Sequence, residues 1–192
     1  MQLILGLTGA NAAGKGEIAL HLSRRGFTAH SLSDVIRDEA AARGFPPERE
    51  HLIRVGNELR EEGGAGVLAE RILARLGDRA VVDSIRNPSE VAVLRRLPGF
   101  VLIGIEAPFE VRFRRARRRA RPGDPETPEE FRRREEQENS SDPRAQQLKA
   151  TFSLADHVVQ NGGDLEQLHR AVDRLLERLE AAPGVDPVDP AR

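Results

Sequence analysis

The chain has 192 residues, with 30 Lys and Arg against 31 Asp and Glu and a formal net charge of −1. That length suits one domain with a core of its own, and the near-neutral balance argues against a general nucleic-acid binder. The absence of cysteine excludes disulfides, thiolate catalysis and thiolate metal sites. The five histidines, His21, His30, His51, His157 and His169, show no ligand spacing, so no zinc site is expected.

The first predicted elements lie in LILGLTGANAAGKGEIALHLSRRG. The apolar run Leu3–Leu7 reads as a buried strand, and Gly16–Arg25 reads as a helix with Ile18, Leu20 and Leu22 as its apolar residues. Between them Gly9, Gly14 and Lys15 have the spacing G-x-x-x-x-G-K, the strand–loop–helix setting of a phosphate-binding P-loop. The mostly small residues Gly9, Ala10, Asn11, Ala12, Ala13, Gly14 and Gly16 let successive backbone N–H groups curl around a polyphosphate, and the helix N-terminus adds partial positive charge. Lys15 supplies a mobile point charge for the β- and γ-phosphates. Only Lys15 and Lys149 are lysines in a chain where arginine fills the other basic positions, so the compact ammonium at Lys15 is wanted for itself.

Further strand-like runs follow at Phe27–Ser31, Ala80–Asp83, Phe100–Glu106 and His157–Asn161. Helical patterns lie at Ser33–Arg43, Glu48–Glu62, Ala65–Leu76, Ser89–Leu97, Phe109–Ala120, Pro128–Glu138 and Leu165–Ala181. The alternation predicts an α/β domain over 1–181, with a five-stranded parallel sheet covered by helices on both faces in three layers. Residues 32–78 hold more chain than a crossover needs and read as a functional insert. Residues 117–151 are polar and rich in Arg and Glu, with PGDP and SSDP breaks, and read as a mobile lid. Residues 182–192 lack periodicity and read as a disordered tail. No window of eighteen apolar residues occurs, so neither a signal peptide nor a membrane span is expected, and the chain reads as a cytoplasmic enzyme, monomeric or homodimeric.

Beyond the P-loop, five segments resemble the nucleoside monophosphate kinase branch of P-loop proteins. SLSDVIRDEA is similar to the adenylate kinase segment ending in G-D-x-L-R, matching at Asp34 and Arg37. VVDSIRNPSE is similar to D-G-F-P-R-x-x-x-Q, with Asp83 ending a strand and Arg86 one residue closer. FRRARRRARPGD resembles the R-x-x-x-R entering the lid, at Arg115 and Arg119. ADHVVQNGGDLEQL resembles the last strand and helix of dephospho-CoA kinases, which puts Gly162 with the donor site. N-E-L-R, at Asn57 and Arg60, occurs with D-V-I-R and D-x-I-R in small archaeal and bacterial nucleotide kinase-like proteins.

The resemblance implies a kinase that uses ATP and Mg²⁺ on a small-molecule nucleotide acceptor. Two anionic substrates must meet in line, so a donor cradle, an acceptor clamp and a cationic lid are wanted. Lys15 and the loop would cradle ATP, Arg37 and Arg86 would clamp the acceptor phosphate, and Arg119, supported by Arg121 and Arg134, would stabilise the transferring group. Arg115 would lie across the donor base. Gly16 lacks the usual hydroxyl, so magnesium would be held mainly through water, with Asp83 as the nearest carboxylate. Glu17, where adenylate kinases place threonine, would approach magnesium or repel phosphate. Arg54, Asn57 and Arg60 are spaced to share roughly one face, turned to the acceptor or to water. Glu90 stands where adenylate kinases carry the glutamine that reads adenine. An accept-only carboxylate there suits a base with adjacent N–H donors, such as guanine; otherwise Glu90 is a helix-surface residue holding Arg86. Arg114, Arg117, Arg118, Arg132 and Arg133 read as a solvated face paired with Glu129, Glu130, Glu135 and Glu136. The leading reading is phosphoryl transfer to a nucleoside or deoxynucleoside monophosphate, with dephospho-CoA kinase and a non-catalytic ATP-binding regulator as alternatives.

Overall fold

The computed structural model describes residues 2–119, 126–142 and 144–181. Five parallel strands, β1 (Leu3–Thr8), β2 (Thr28–Ser31), β3 (Arg79–Asp83), β4 (Phe100–Glu106) and β5 (His157–Gln160), form one sheet in the order β2-β3-β1-β4-β5. β1 is central and buried along its whole length, as a strand covered on both faces must be. Its alternation splits the core. Ile4 joins Val82, Leu102 and Ile85 on one face, while Leu3, Leu5 and Leu7 join Val81, Ile103 and Ile105 on the other.

The first face is covered by α2 (Leu32–Ala42), α3 (Arg49–Gly63), α4 (Val67–Leu73), α5 (Pro88–Leu94) and α8 (Leu148–Phe152). The second is covered by α1 (Lys15–Arg24) and α9 (Leu165–Ala181), whose stripe Leu168, Val172, Leu175 and Leu176 faces the strands. α6 (Phe109–Arg119) and α7 (Pro128–Gln137) stand over the C-terminal strand ends, joined by Phe109, Phe113 and Phe131. Phe131 is fully buried between the other two rings, each edge-on to it.

The parallel three-layer sheet matches the sequence expectation, while several element ends shift by a few residues, among them α4 (Val67–Leu73 against Ala65–Leu76) and α5 (Pro88–Leu94 against Ser89–Leu97). Leu20 is half exposed, because 100° per residue turns position 20 away from Ile18 and Leu22. α8 has no counterpart among the predicted helices; at five residues it is too short to show a period. β5 stops at Gln160, one residue early, and this releases Asn161 into the loop that follows. The lid expected at 117–151 lies partly on α7 and α8, and the tail 182–192 lies outside the described residues. Among the described residues no helix is long and apolar enough to cross a membrane, and no three potential metal ligands cluster.

Candidate functional site

The loop after β1 owes its shape to backbone conformations that side chains resist. Gly9 has φ +143, and a Cβ there would strike the Ile105 carbonyl oxygen. Gly14, at φ +110, caps α1, and a Cβ there would strike the Asn161 side-chain amide. Ala12 takes φ 59 without being glycine, a strain that recurs at ligand-binding loops. The amides of Gly14, Lys15 and Gly16 have no backbone carbonyl as partner among the described residues, the orphan donors of a helix start. In this geometry the loop and the first turn of α1 can take an anion. Space for a Cβ is open at Gly16, and Glu17 is exposed beside it.

Lys15 Nζ donates to the carbonyls of Gly9 (2.7 Å) and Ala10 (3.1 Å), so its charge is held over the loop that carries it. Burial lowers its pKa to about 8; Asp83 and Glu138 oppose the shift, while Arg86 and Arg119 add to it. Those four residues come from distant parts of the chain, and their charges converge on Lys15. Asp83 ends β3, and its Oδ1 accepts the Ser84 N–H at 2.5 Å. Ser84 has φ 67, and its hydroxyl meets that of Ser31 at 3.0 Å. Thr8 Oγ1, at the end of β1, donates to the Ile85 carbonyl at 3.0 Å and ties the two strand ends together.

α6 divides its arginines by face. Arg112, Arg115 and Arg119 fall at spacings of three and four and turn toward the loop. Arg119 Nη2 donates to Asn11 Oδ1 at 3.0 Å, and Arg112 is ion-paired with Glu135 of α7. Arg115 donates to the carbonyls of Asn161 (3.0 Å) and Gly163 (3.3 Å) and to Asn161 Oδ1 (3.1 Å). It is thereby fixed to the β5–α9 loop, where Gly162 is exposed. Asn161 is buried, and its Nδ2 donates to the Ala13 carbonyl at 2.7 Å, so one side chain links Arg115 to the phosphate loop. The outward arginines Arg114, Arg117 and Arg118 are exposed, as their solvated reading requires. Of the four glutamates expected to pair with that face, Glu135 pairs instead with Arg112, and Glu130 accepts the Thr127-capped turn's Glu126 N–H.

In the loop before α5, Arg86 Nη1 donates to Glu138 Oε1 (3.0 Å) and Gln146 Oε1 (2.9 Å). Arg37 is half exposed on α2, where it donates to Asp34 Oδ1 at 2.5 Å and to Ser33 Oγ at 3.0 Å. Arg134 is half-buried on α7, and Arg121 lies outside the described residues. Two expectations are corrected. Arg54, Asn57 and Arg60 do not share a face: Arg54 covers the Phe45 ring, Asn57 is exposed, and Arg60 is buried, donating to the Gly56 carbonyl at 3.1 Å. Six residues of helix turn through 240° net, which carries Arg60 from solvent to core.

Glu90 is 1% exposed and is not a surface residue. Its Oε2 accepts the N–H groups of Arg86 (2.8 Å) and Asn87 (3.1 Å), closing a capping box at the start of α5. Its Oε1 is sealed from solvent, with Arg60 Nη2 at 3.7 Å, so the carboxylate has no edge open to a base. Burial raises its pKa, and the capping N–H groups and Arg60 oppose the rise. Glu90 does hold Arg86, through the backbone rather than the guanidinium. Sequence reasoning also passed over Asn161, Glu138, Gln146 and Arg112. Asn161 alone carried a local signal, an amide directly before Gly162 and Gly163 at a strand end.

An AAA domain model matches residues 5–142. A UPF0200 protein of Hyperthermus butylicus is 36% identical over 182 residues, covering 93% of this chain and 95% of the relative. A UPF0200 protein of Pyrococcus horikoshii is 34% identical over 187 residues, covering 92% and 97%. Among solved structures, TT1252 from Thermus thermophilus superposes with a TM-score of 0.59 at 26% identity, covering 93% of this chain and 98% of that one. Shikimate kinase from Acinetobacter baumannii superposes with a TM-score of 0.59 at 14% identity, covering 94% of each chain. The fold is that of the P-loop kinases.

Proposed function

The chain belongs to the UPF0200 family and carries an AAA domain over residues 5–142; on that premise we propose that it transfers a phosphoryl group from ATP to a nucleoside or deoxynucleoside monophosphate. The observation that carries this reading is the convergence on Lys15 of Asp83, Arg86 and Arg119, from the end of β3, the loop after it and α6, the lid helix in the sense that it leads into the expected lid. A nearly free phosphoryl group spreads negative charge over its oxygens, so cations that converge from separate elements supply what the reaction needs.

Each residue has a task in that scheme. The orphan amides of Gly14, Lys15 and Gly16 receive the donor phosphates, and Lys15 leaves the Gly9 and Ala10 carbonyls to meet the β- and γ-oxygens. Arg119 follows the transferring group from the lid. Arg86 receives the acceptor phosphate, with Arg37 at the outer edge. Arg115, fixed by Asn161 and Gly163, borders the donor base. Gly16, with open space where other side chains would begin, and Asp83, with one oxygen not taken by Ser84, fit a hydrated magnesium ion. When bound, magnesium neutralises charge on the donor phosphates.

The test is ADP release from ATP–Mg²⁺ across ribo- and deoxynucleoside monophosphates, with dephospho-CoA as a further acceptor. Release that depends on a nucleoside monophosphate, and is lost in Lys15→Ala, is the expected result. Release with dephospho-CoA alone replaces the acceptor assignment. ATP binding with no acceptor-dependent release identifies a nucleotide-binding regulator and overturns the reading.

A further inference from the structure

We propose that Glu138 and Gln146 are positioning residues for the acceptor. They hold Arg86 by Nη1 alone, so that its Nε–Nη2 edge stays turned to the acceptor as a two-pronged oxyanion seat. The inference rests on the acceptor being a phosphate monoester, as in the preceding subsection.

A guanidinium has five N–H donors in a planar fork, and a free carboxylate that meets one tends to take two of them side by side. Glu138 does not. Only its Oε1 meets Arg86, at 3.0 Å, while Gln146 Oε1 takes the other Nη1 hydrogen at 2.9 Å. Both hydrogens of that nitrogen are spent on the lid side. The Nε and Nη2 hydrogens donate to no protein group among the described residues. They form the edge that can donate to two phosphate oxygens in parallel. Glu138 Oε2 is buried without a hydrogen-bond partner, so the carboxylate lacks the second contact that would give it a stable purpose of its own.

The backbone around Arg86 is fixed as firmly as its head. Its N–H is held by Glu90 Oε2 at 2.8 Å, and its carbonyl accepts the Gln147 N–H at 2.8 Å. The segment that supplies Glu138 and Gln146 folds back on itself. Leu148 N–H donates to the Glu138 carbonyl (3.2 Å), Ser140 N–H to the Gln146 carbonyl (2.9 Å), and Asn139 pairs with Gln147 as an antiparallel bridge. Asn87 Nδ2 binds the Ala145 carbonyl at 2.7 Å and anchors this clasp beside Arg86. The end of α7 and the start of α8 are therefore built onto the residue that receives the acceptor. A guanidinium held this way loses little rotamer freedom when it binds, which favours one orientation of the bound phosphate.

The experiment compares Glu138→Ala, Glu138→Gln, Gln146→Ala and a clasp control, Asn139→Ala, in the full-length protein. Asn139 bonds Glu135 and Lys149 but not Arg86. Steady-state rates with AMP, GMP, CMP and UMP give KM for acceptor and for ATP separately. Expected are about a tenfold rise in acceptor KM for Glu138→Ala and about threefold for Gln146→Ala, with ATP KM within twofold. Glu138→Gln, which still accepts from Nη1, stays within threefold of the parent. Asn139→Ala lowers Tm while acceptor KM stays within twofold. A fall in acceptor KM in Glu138→Ala overturns the proposal, because Glu138 would then be a competitor for Arg86. Equal effects of Asn139→Ala and Glu138→Ala also overturn it, since clasp docking alone would explain both.

A second readout needs no acceptor. In ¹⁵N spectra of the ligand-free protein the Arg86 guanidinium should show hindered rotation, lost in Glu138→Ala/Gln146→Ala. Free rotation in the parent overturns the positioning claim. Hindered rotation in a parent that turns over no nucleoside monophosphate leaves positioning intact and removes the nucleotide reading.

Discussion

Residues 9–16 make their half of the site from consecutive backbone, whereas the facing half is assembled from side chains at Asp83, Arg86, Arg119 and Glu138. The first half needs two glycines at φ +143 and +110 and the free amides of a helix start, all within one loop. The second draws on the end of β3, the loop before α5, the lid helix and the segment after α7. A backbone cradle is rigid and indifferent to which nucleotide fills it. A side-chain wall is adjustable and, in the proposed reaction, would carry the choice of acceptor. The two meet at Lys15, whose charge sits between the loop carbonyls and the opposing carboxylates.

Substitutions that strike each half separately test this division. The largest effect is expected at the meeting point. Lys15→Ala should lower turnover by at least a thousandfold, on the order of 4 kcal/mol of barrier, with an unchanged circular dichroism spectrum. Lys15→Arg should fail nearly as badly, because a planar fork does not replace a compact ammonium. Near-normal turnover in folded Lys15→Ala would erase the distinction between the halves.

Arg119→Ala comes next, with kcat down about a hundredfold and acceptor KM little changed, because in the proposed reaction its contact with the transferring group would form only in the reacting complex. Arg118→Ala, on the outward face, should stay within twofold. The reverse ranking would mean that the lid helix turns its other face to the substrate when ligands bind.

Asn161→Ala isolates the cradle. It removes the contact to the Ala13 carbonyl and loosens Arg115, so ATP Kd should rise about tenfold, roughly 1.4 kcal/mol, while acceptor KM holds. Isothermal titration with a non-hydrolysable ATP analogue reads this directly, and a matching rise in acceptor KM would show that the halves are not separable there.

Acidity gives a prediction of comparable size. With Lys15 at about 8 in the free protein, ATP affinity should be flat near pH 7 and fall by up to tenfold per pH unit above about 8, as the ammonium is lost. The stability effect has the opposite sign. The folded-state pKa lies below the ordinary lysine value of 10.5, so between about 8 and 10.5 the folded chain binds fewer protons than the unfolded one. Lys15 therefore makes a contribution to stability that rises with pH across that window. Urea unfolding of the parent and Lys15→Met at pH 8 and pH 10 checks the sign.

The smallest effect is expected at Arg37. Paired with Asp34 on the surface of α2, it should raise acceptor KM only about threefold when replaced by alanine. A rise of about a hundredfold would move the centre of the acceptor wall outward onto the insert.

The path from strand to loop to first helix was readable because each signal lies within a few residues: an apolar run, glycines at fixed spacing, then a helical stripe. Leu20 departs from its expected place because burial on a helix depends on a residue's angle as well as on its apolar character. Glu90 and Arg60 depart from theirs for a deeper reason. Both are charged residues in polar stretches, and only their mutual approach at 3.7 Å and the capping of Arg86 and Asn87 explain their burial. Glu138 and Gln146 sit in the segment that read as lid, Glu138 at the end of a helical pattern and Gln146 in a polar stretch without one, and nothing local marks either as a partner of Arg86.

By itself the sequence determined the parallel α/β architecture and the P-loop between β1 and α1, with Lys15 at its end, because strand runs, helical periods and glycine spacing are properties of neighbouring residues. Tertiary structure alone decided which arginines are free to meet a substrate. Whether Arg86, Arg115 or Arg60 is open, anchored or buried depends on Glu138, Asn161 and Glu90, 52, 46 and 30 positions away along the chain. Coulomb attraction and hydrogen bonding act through space, and no local pattern in the chain records which partners the sheet will bring together.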